Sequence, residues 1–180
     1  MTAGAVVVVA GLQAVGKSTV ARLLAQRYER GAYVEGDVFY RMVVSGRADM
    51  TPAPSDEAIR QLRLRYRQQA LVAASFATEG FVAVLATVVD ARHAALLADE
   101  VAPHDLRLVW LDAPDDVVAA RERERATHAY DGWLAPDGDL VAAVGRLRAQ
   151  VGPPPPGALV VDTTGRTPDQ TAADVYEALR

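Results

Sequence analysis

Apolar residues along this chain follow two alternating rhythms. Largely apolar runs of strand length occur at Val6 to Ala10, Ala32 to Glu35, Phe81 to Ala86, Leu106 to Leu111 and Ala158 to Asp162. Between them, apolar side chains recur every three or four residues, the helical spacing. The runs predict five strands. The intervening stretches predict helices from Ser18 to Tyr28, from Asp37 to Ser45 (ended by Gly46), from a Ser55 cap to about Glu79, from Ala91 to Glu100, and from Asp112-Ala113-Pro114 to about Arg125. Another helix follows to Gln150, and a last one starts at Thr167-Pro168, with proline in its first turn. Ile59, Leu62, Tyr66, Ala70, Ala73 and Ala77 form the apolar stripe of the long third helix. Residues 126–139 read as loop, and Pro153 to Pro156 as a stiff connection. Strands alternating with helices predict an α/β domain with a parallel sheet covered on both faces. There is no internal repeat, so residues 1–180 read as one domain.

Composition changes this picture little. Hydrophobic residues make up 51% of the 180, yet no apolar run approaches the ~20 residues of a membrane span. The start of the chain lacks a basic flank and cleavage pattern, and there is no cysteine, which together fit a cytoplasmic protein. A net charge of −4 argues against an extended nucleic-acid surface, since such binding rests on many cationic phosphate contacts.

One compositional feature does matter. The chain has a single lysine, Lys17; the other 18 of its 19 basic residues are arginine. Lys17 stands in Gly11-Leu12-Gln13-Ala14-Val15-Gly16-Lys17-Ser18, a G-x-x-x-x-G-K-S pattern followed by Thr19. A strand precedes it and a helix follows, the context that makes such a turn a phosphate site. Gly11 and Gly16 let the backbone curl so that its N–H groups point inward, and the helix N-terminus adds its dipole. Lys17 is expected to reach the β- and γ-phosphates of ATP from a solvent-filled loop, with Ser18 holding Mg²⁺. Arginine does not substitute there, because its planar fork is wide and an ammonium is a compact point charge.

With these motifs the chain resembles the small P-loop kinases: shikimate kinase, gluconate kinase and the chloramphenicol phosphotransferase group. The resemblance implies a P-loop NTPase fold with strand order 2-3-1-4-5. It also implies an acceptor-binding helical region at about 37–79 and an arginine-bearing lid at about 121–139. Asp37 follows the second strand, where ligands collect in open α/β sheets. In the similar kinases an aspartate there contacts the acceptor hydroxyl and takes its proton. The local alternative is that Asp37 caps a helix beginning at Val38. Arg121 and Arg125, four apart in Arg121-Glu122-Arg123-Glu124-Arg125, are expected on one helix face. In the similar kinases, arginines at that place close over ATP; otherwise they are a solvated helix face. Asp162-Thr163-Thr164-Gly165-Arg166-Thr167-Pro168 resembles the stretch whose backbone lies beside adenine, which makes Thr164, Gly165 and Arg166 nucleotide-binding candidates; alternatively it is a turn with Thr167 as helix cap.

Tyr40, Arg41, Arg63 and Arg67, with Arg60, are candidates for an acceptor pocket that binds a carboxylate or phosphate. The third strand departs from the family pattern. Where an aspartate supporting Mg²⁺ is expected, the chain reads Leu85-Ala86-Thr87-Val88-Val89-Asp90. Thr87 becomes an acceptor-side candidate, and metal support falls to Ser18 and Asp37, or to Asp90 reaching back. His93 reads as a helix-surface residue near the pocket, and His104 and His128 have no evident partners. The expected protein is an ATP-dependent, Mg²⁺-using phosphotransferase, monomeric or homodimeric, acting on a small-molecule hydroxyl such as that of an antibiotic. Alternatives are a sugar-acid kinase, a nucleotide-sugar or polynucleotide kinase, and a nucleotide-dependent switch without catalysis. The missing Asp-Arg-x-x-Trp-Leu signature weighs against the sugar-acid reading.

Overall fold

The computed structural model describes residues 4–125, 129–134 and 138–180. Five strands form one sheet: β1 (Val6–Ala10), β2 (Gly31–Glu35), β3 (Val82–Ala86), β4 (Leu106–Asp112) and β5 (Leu159–Asp162). Their order is β2-β3-β1-β4-β5, and every pairing is parallel, as expected for a P-loop NTPase fold. Both β1 and β3 are buried along their whole length. A strand covered on both faces gains by being apolar at every position, which is why these two read as continuous runs.

The helices are α1 (Lys17–Ala25), α2 (Gly36–Arg41), α3 (Asp56–Thr78), α4 (Ala91–Val101), α5 (Asp115–Arg123), α6 (Leu140–Val151) and α7 (Pro168–Leu179). Side-chain caps fix several starts. Ser55 Oγ accepts from the Ala58 N–H at 3.2 Å, and Thr167 and Gln170 form a reciprocal capping box. Alternate β1 residues divide between two cores. Val7 and Val9 pack with α1, α5, α6 and α7, whereas Val6 and Val8 pack with α3 and α4. Adjacent strands β1 and β3 therefore send their following helices, α1 and α4, to opposite faces. The sheet opens a crevice where its helices change sides, and ligands in such sheets bind at that carboxyl edge.

Two expected helices are shorter in the structure. The second ends at Arg41, not Ser45, because Met42 and Val44 are 62% and 94% exposed. A further turn there would bury nothing, and helices this short depend on tertiary packing. The first ends at Ala25. The stretch read as loop holds a 3-10 turn at Asp131–Trp133, with Tyr130 and Trp133 buried in the core. His128 and parts of the expected lid stretch, 126–128 and 135–137, lie outside the described residues. His104 does have partners: its ring nitrogens lie 3.1 Å from the Gly4 carbonyl and from Thr78 Oγ1, joining the entry of β1 to the end of α3.

The turn from β2 into α2 permits no side chain at Gly36. A β-carbon there would stand 2.6 Å from the Ala86 carbonyl oxygen and 3.2 Å from Gln69 Nε2. Gly36→Ala is expected to lower stability by about 1–3 kcal/mol, the cost of forcing extra volume into packed structure. The measurement is a drop in urea midpoint at unchanged slope.

Candidate active site

The phosphate-loop residues lie between β1 and α1 at the crevice. Gly11 has φ +136°, and a β-carbon on it would meet the Leu111 carbonyl oxygen at 2.3 Å, so β4 packs directly on the loop backbone. Leu12 and Val15 turn into the core and anchor the loop from below. Gly16 has φ +99°, and nothing lies within 4 Å of where its β-carbon would be. That open space, beside the N-terminus of α1, is the cradle a phosphate chain needs. Ala14 holds φ +63°, a left-handed conformation that costs a residue with a β-carbon roughly 1–2 kcal/mol. Nothing in the G-x-x-x-x-G-K-S pattern signals that strain.

Lys17 does not stand in solvent. It is half-buried, and its ammonium donates to the Leu12 carbonyl at 2.6 Å. Burial brings its pKa down from 10.5 to about 8; Asp37 draws it back up, Arg125 pushes it down and Glu122 draws it up. Those three residues come from β2–α2, from just past α5 and from α5, so one lysine senses groups from both sides of the crevice. Asp37 is exposed in the first turn of α2 and lines the same cleft as Gln13, Ala14, Gly16, Ser18 and Thr19. It does not cap the helix, since Glu35 holds the N-cap position.

The two arginines after β4 separate in the structure. Arg121, on α5, donates to Thr163 Oγ1 at 2.9 Å and to the Thr163 carbonyl at 2.8 Å, tying α5 to the turn after β5. Arg125 lies beyond α5, which ends at Arg123, so the two do not share a helix face as the spacing predicts. Arg125 pairs with Glu122 at 3.2 Å and is 40% exposed. Both nevertheless line the cleft. Glu122 is 1% exposed and also accepts from the Ala129 N–H, while Tyr130 donates to the Gln13 carbonyl at 3.1 Å. These contacts bring residues 129–130 onto the phosphate loop. Glu122 and Tyr130 are functional candidates that the sequence reading missed; a carboxylate inside an arginine run and an aromatic inside a presumed loop were the available signals.

The chain matches the AAA domain family over residues 6–149. It is a member of that family. No curated protein matches it. Solved structures similar in fold include the Mycobacterium tuberculosis APS kinase in complex with AMPPNP and APS (20% identity, TM-score 0.71, covering 99% of each chain). A gluconokinase from Sinorhizobium meliloti 1021 aligns at 18% identity and TM-score 0.65, over 99% of this chain and 97% of its own. The Deinococcus radiodurans tunicamycin resistance protein aligns at 16% identity and TM-score 0.64, over 97% and 95%. This AAA-domain chain thus has the P-loop kinase fold, and likeness at these identities goes no further than fold.

The remaining acceptor-side candidates divide within this AAA-domain chain. Arg41 lines the cleft and faces Glu35 at 3.8 Å. Tyr40 lines it too, its hydroxyl bonded to Asp49 and Arg47 lying 4.6 Å over its ring. Arg63 lines it, but Arg67 does not: it points toward α4 and pairs with Glu100 at 3.2 Å. Arg60 is likewise outside, paired with Glu57 at 2.6 Å. Arg166 turns to Asp174 on α7, so only its backbone remains for a nucleotide, beside Thr164 and Gly165. The Thr164 N–H is already taken by Asp162 Oδ1 at 2.8 Å. Thr87 sits on the cleft at the end of β3. Asp90 does not reach back toward the loop. It caps α4 and binds His93, whose ring is half-buried on the cleft wall and not on the helix surface. Burial pushes Asp90 up, but the hydrogen bonds from His93 outweigh it and hold the carboxyl below its usual range.

Proposed function

We propose that this protein is a kinase that transfers the γ-phosphoryl group of ATP to a hydroxyl of a small molecule. The observation that carries this reading is one continuous cleft of about 1370 Å³ running from the phosphate loop past Asp37 to Asp90 and His93. Single-ligand pockets run to ~1,000 Å³, so the space suits the phosphate end of a nucleotide together with an acceptor, the turn at residues 163–166 standing outside it. A nucleotide switch needs only the first. No helix among the described residues is long and apolar enough to cross a membrane.

The chain's own residues then divide the work. The loop amides and Lys17 bind the phosphates, and Arg121 stiffens the turn at residues 163–166 beside which the base would lie. Asp37 orients the acceptor hydroxyl and takes its proton as the hydroxyl oxygen bonds to phosphorus and the bond to ADP breaks. Among the described residues no group of three His, Cys, Asp or Glu stands together. Ser18 and Asp37 nevertheless fit Mg²⁺, which keeps several waters and is commonly bound by one or two protein oxygens plus substrate phosphates. The ion supplies charge neutralisation at the phosphate oxygens. An ATP-dependent mass gain of one phosphoryl group, screened over hydroxylated metabolites and antibiotics, tests the reading. Its absence throughout, with ATP binding intact, would favour the switch.

The divided arginines give a sharper expectation. Arg125→Ala should lower kcat with little change in ground-state ATP affinity, the mark of a contact made in the transition state. The loss should be about 10- to 100-fold, less than an enclosed arginine finger gives, because Glu122 offsets its charge and it is 40% exposed. Arg121→Ala should instead raise the KM for ATP, since its bonds hold the turn after β5. Arg123→Ala is the control, and similar behaviour of all three in steady-state kinetics would overturn this division.

A further inference from the structure

Gln13 and Ala14 stand in the middle of the phosphate loop and line the cleft. Ala14 keeps φ +63°, a conformation that persists only where the surroundings impose it. The imposing contact comes from far along the chain. The Tyr130 hydroxyl donates to the Gln13 carbonyl at 3.1 Å. Tyr130 is fully buried and stands outside the cleft, so this bond draws the carbonyl away from the cleft and toward the core. The Gln13–Ala14 peptide is trans, which puts its C=O and N–H on opposite sides. The Ala14 N–H is therefore turned toward the cleft, and it has no hydrogen-bond partner among the described residues.

Tyr130 is itself braced from two sides. Glu122, 1% exposed on α5, accepts from the N–H of the preceding residue, Ala129. The Tyr130 carbonyl accepts from the Trp133 N–H at 2.8 Å. The Trp133 carbonyl in turn takes two bonds from the Arg146 guanidinium of α6, at 2.7 and 3.0 Å. Two helices and the 3-10 turn between them thus converge on one hydroxyl.

Resting on the nucleotide-binding part of the kinase reading, we propose that Tyr130 is a positioning residue for phosphate binding. Its hydroxyl clamps the Gln13 carbonyl, which keeps Ala14 left-handed and its N–H aimed at the phosphate chain before nucleotide arrives. Without the hydroxyl, Ala14 relaxes, and binding must first restore the loop. For a residue with a β-carbon the left-handed conformation costs roughly 5- to 30-fold in an equilibrium constant. Affinity falls with the fraction of molecules that keep the binding conformation.

The test is isothermal titration of the full-length protein with ATP plus Mg²⁺ and with inorganic tripolyphosphate. Tyr130→Phe keeps the ring in the core and removes only the hydroxyl. It should raise the Kd for both ligands by roughly 5- to 30-fold. Ala14→Gly decides the cause. Glycine adopts a positive φ freely, so in the Ala14→Gly background Tyr130→Phe should raise the Kd by only about 3-fold or less. A tyrosine that merely fills the core would give the same penalty in either background. Arg146→Met releases the Trp133 carbonyl at the other end of the brace, and provides the same pair of measurements if Tyr130→Phe does not fold. Unchanged ATP affinity in Tyr130→Phe, a loss confined to ATP and absent for tripolyphosphate, or an equal penalty with and without Ala14→Gly overturns the positioning role and leaves the kinase reading intact. No ATP binding by the wild type counts against the kinase reading itself, and the positioning role falls with it.

Discussion

Lys17→Met is expected to abolish phosphoryl transfer while making the ligand-free fold more stable. The ammonium is held at about 8, well below its ordinary 10.5, chiefly because it is buried. In the unfolded chain it titrates near 10.5, so below pH 8 the folded state carries the full cost of keeping it charged. Each pKa unit is worth about 1.4 kcal/mol, which bounds that cost at roughly 3 kcal/mol; the bond to the Leu12 carbonyl recovers part of it. Lys17→Met should therefore gain about 1–3 kcal/mol at pH 7. The sign gives a second check. A depressed folded pKa means that the unfolded chain binds the extra proton between pH 8 and 10.5, so wild-type stability gains on the variant across that window. Comparing the two proteins by urea denaturation cancels the tyrosines, several of which burial pushes upward. Transfer should fall ~10³-fold or more, as removal of a preorganised charge at a developing phosphoryl charge does at its upper range. ATP affinity of the wild type should weaken above pH 8 as the free protein loses the proton, and that of Lys17→Met should stay flat. Lys17→Arg should be nearly as damaging to transfer. Retained turnover in Lys17→Met, or a loss of stability, would remove the central role given to this residue.

Strands and phosphate loop were legible because each depends on local sequence. β1 and β3 are apolar at every position because both of their faces are covered, and G-x-x-x-x-G-K-S encodes its own backbone turn. Side-chain pairings between distant segments were not legible. Nothing in Arg121 to Arg125 says that Arg121 reaches Thr163 while Arg125 turns back to Glu122; that depends on where α5 stops and on how β5 lies beside β4. Arg67 reads like Arg63 in sequence, but α4 supplies Glu100 to one and nothing to the other. Gln69 was invisible for the opposite reason. A glutamine within a helix predicts solvent, and only the close approach of Gly36 to β3 shows why it is buried. His93 reads as a helix-surface residue because a helical register does not mark a half-buried ring; Asp90, read as a carboxylate reaching back to the metal, instead caps α4 and binds that ring at once.

Asp37→Asn is expected to separate kinase from switch. The substitution keeps the shape and reach of the side chain and removes the charge. ATP should still bind, because the phosphate loop is untouched; any shift in affinity comes through the weaker pull on Lys17, which in the wild type favours the charged ammonium, or through Mg²⁺. Transfer to the acceptor should fall ~10²–10⁴-fold, the range for loss of a general base. Some of that loss belongs to Mg²⁺ if Asp37 also holds the ion through water, because Thr87 occupies the end of β3 and Asp90 is committed to His93. A Mg²⁺ titration divides the two contributions. Recovery of kcat at high Mg²⁺ assigns the defect to the metal, whereas an unchanged deficit assigns it to proton transfer. Full transfer activity in Asp37→Asn at ordinary Mg²⁺ would move the acceptor site away from the end of β2.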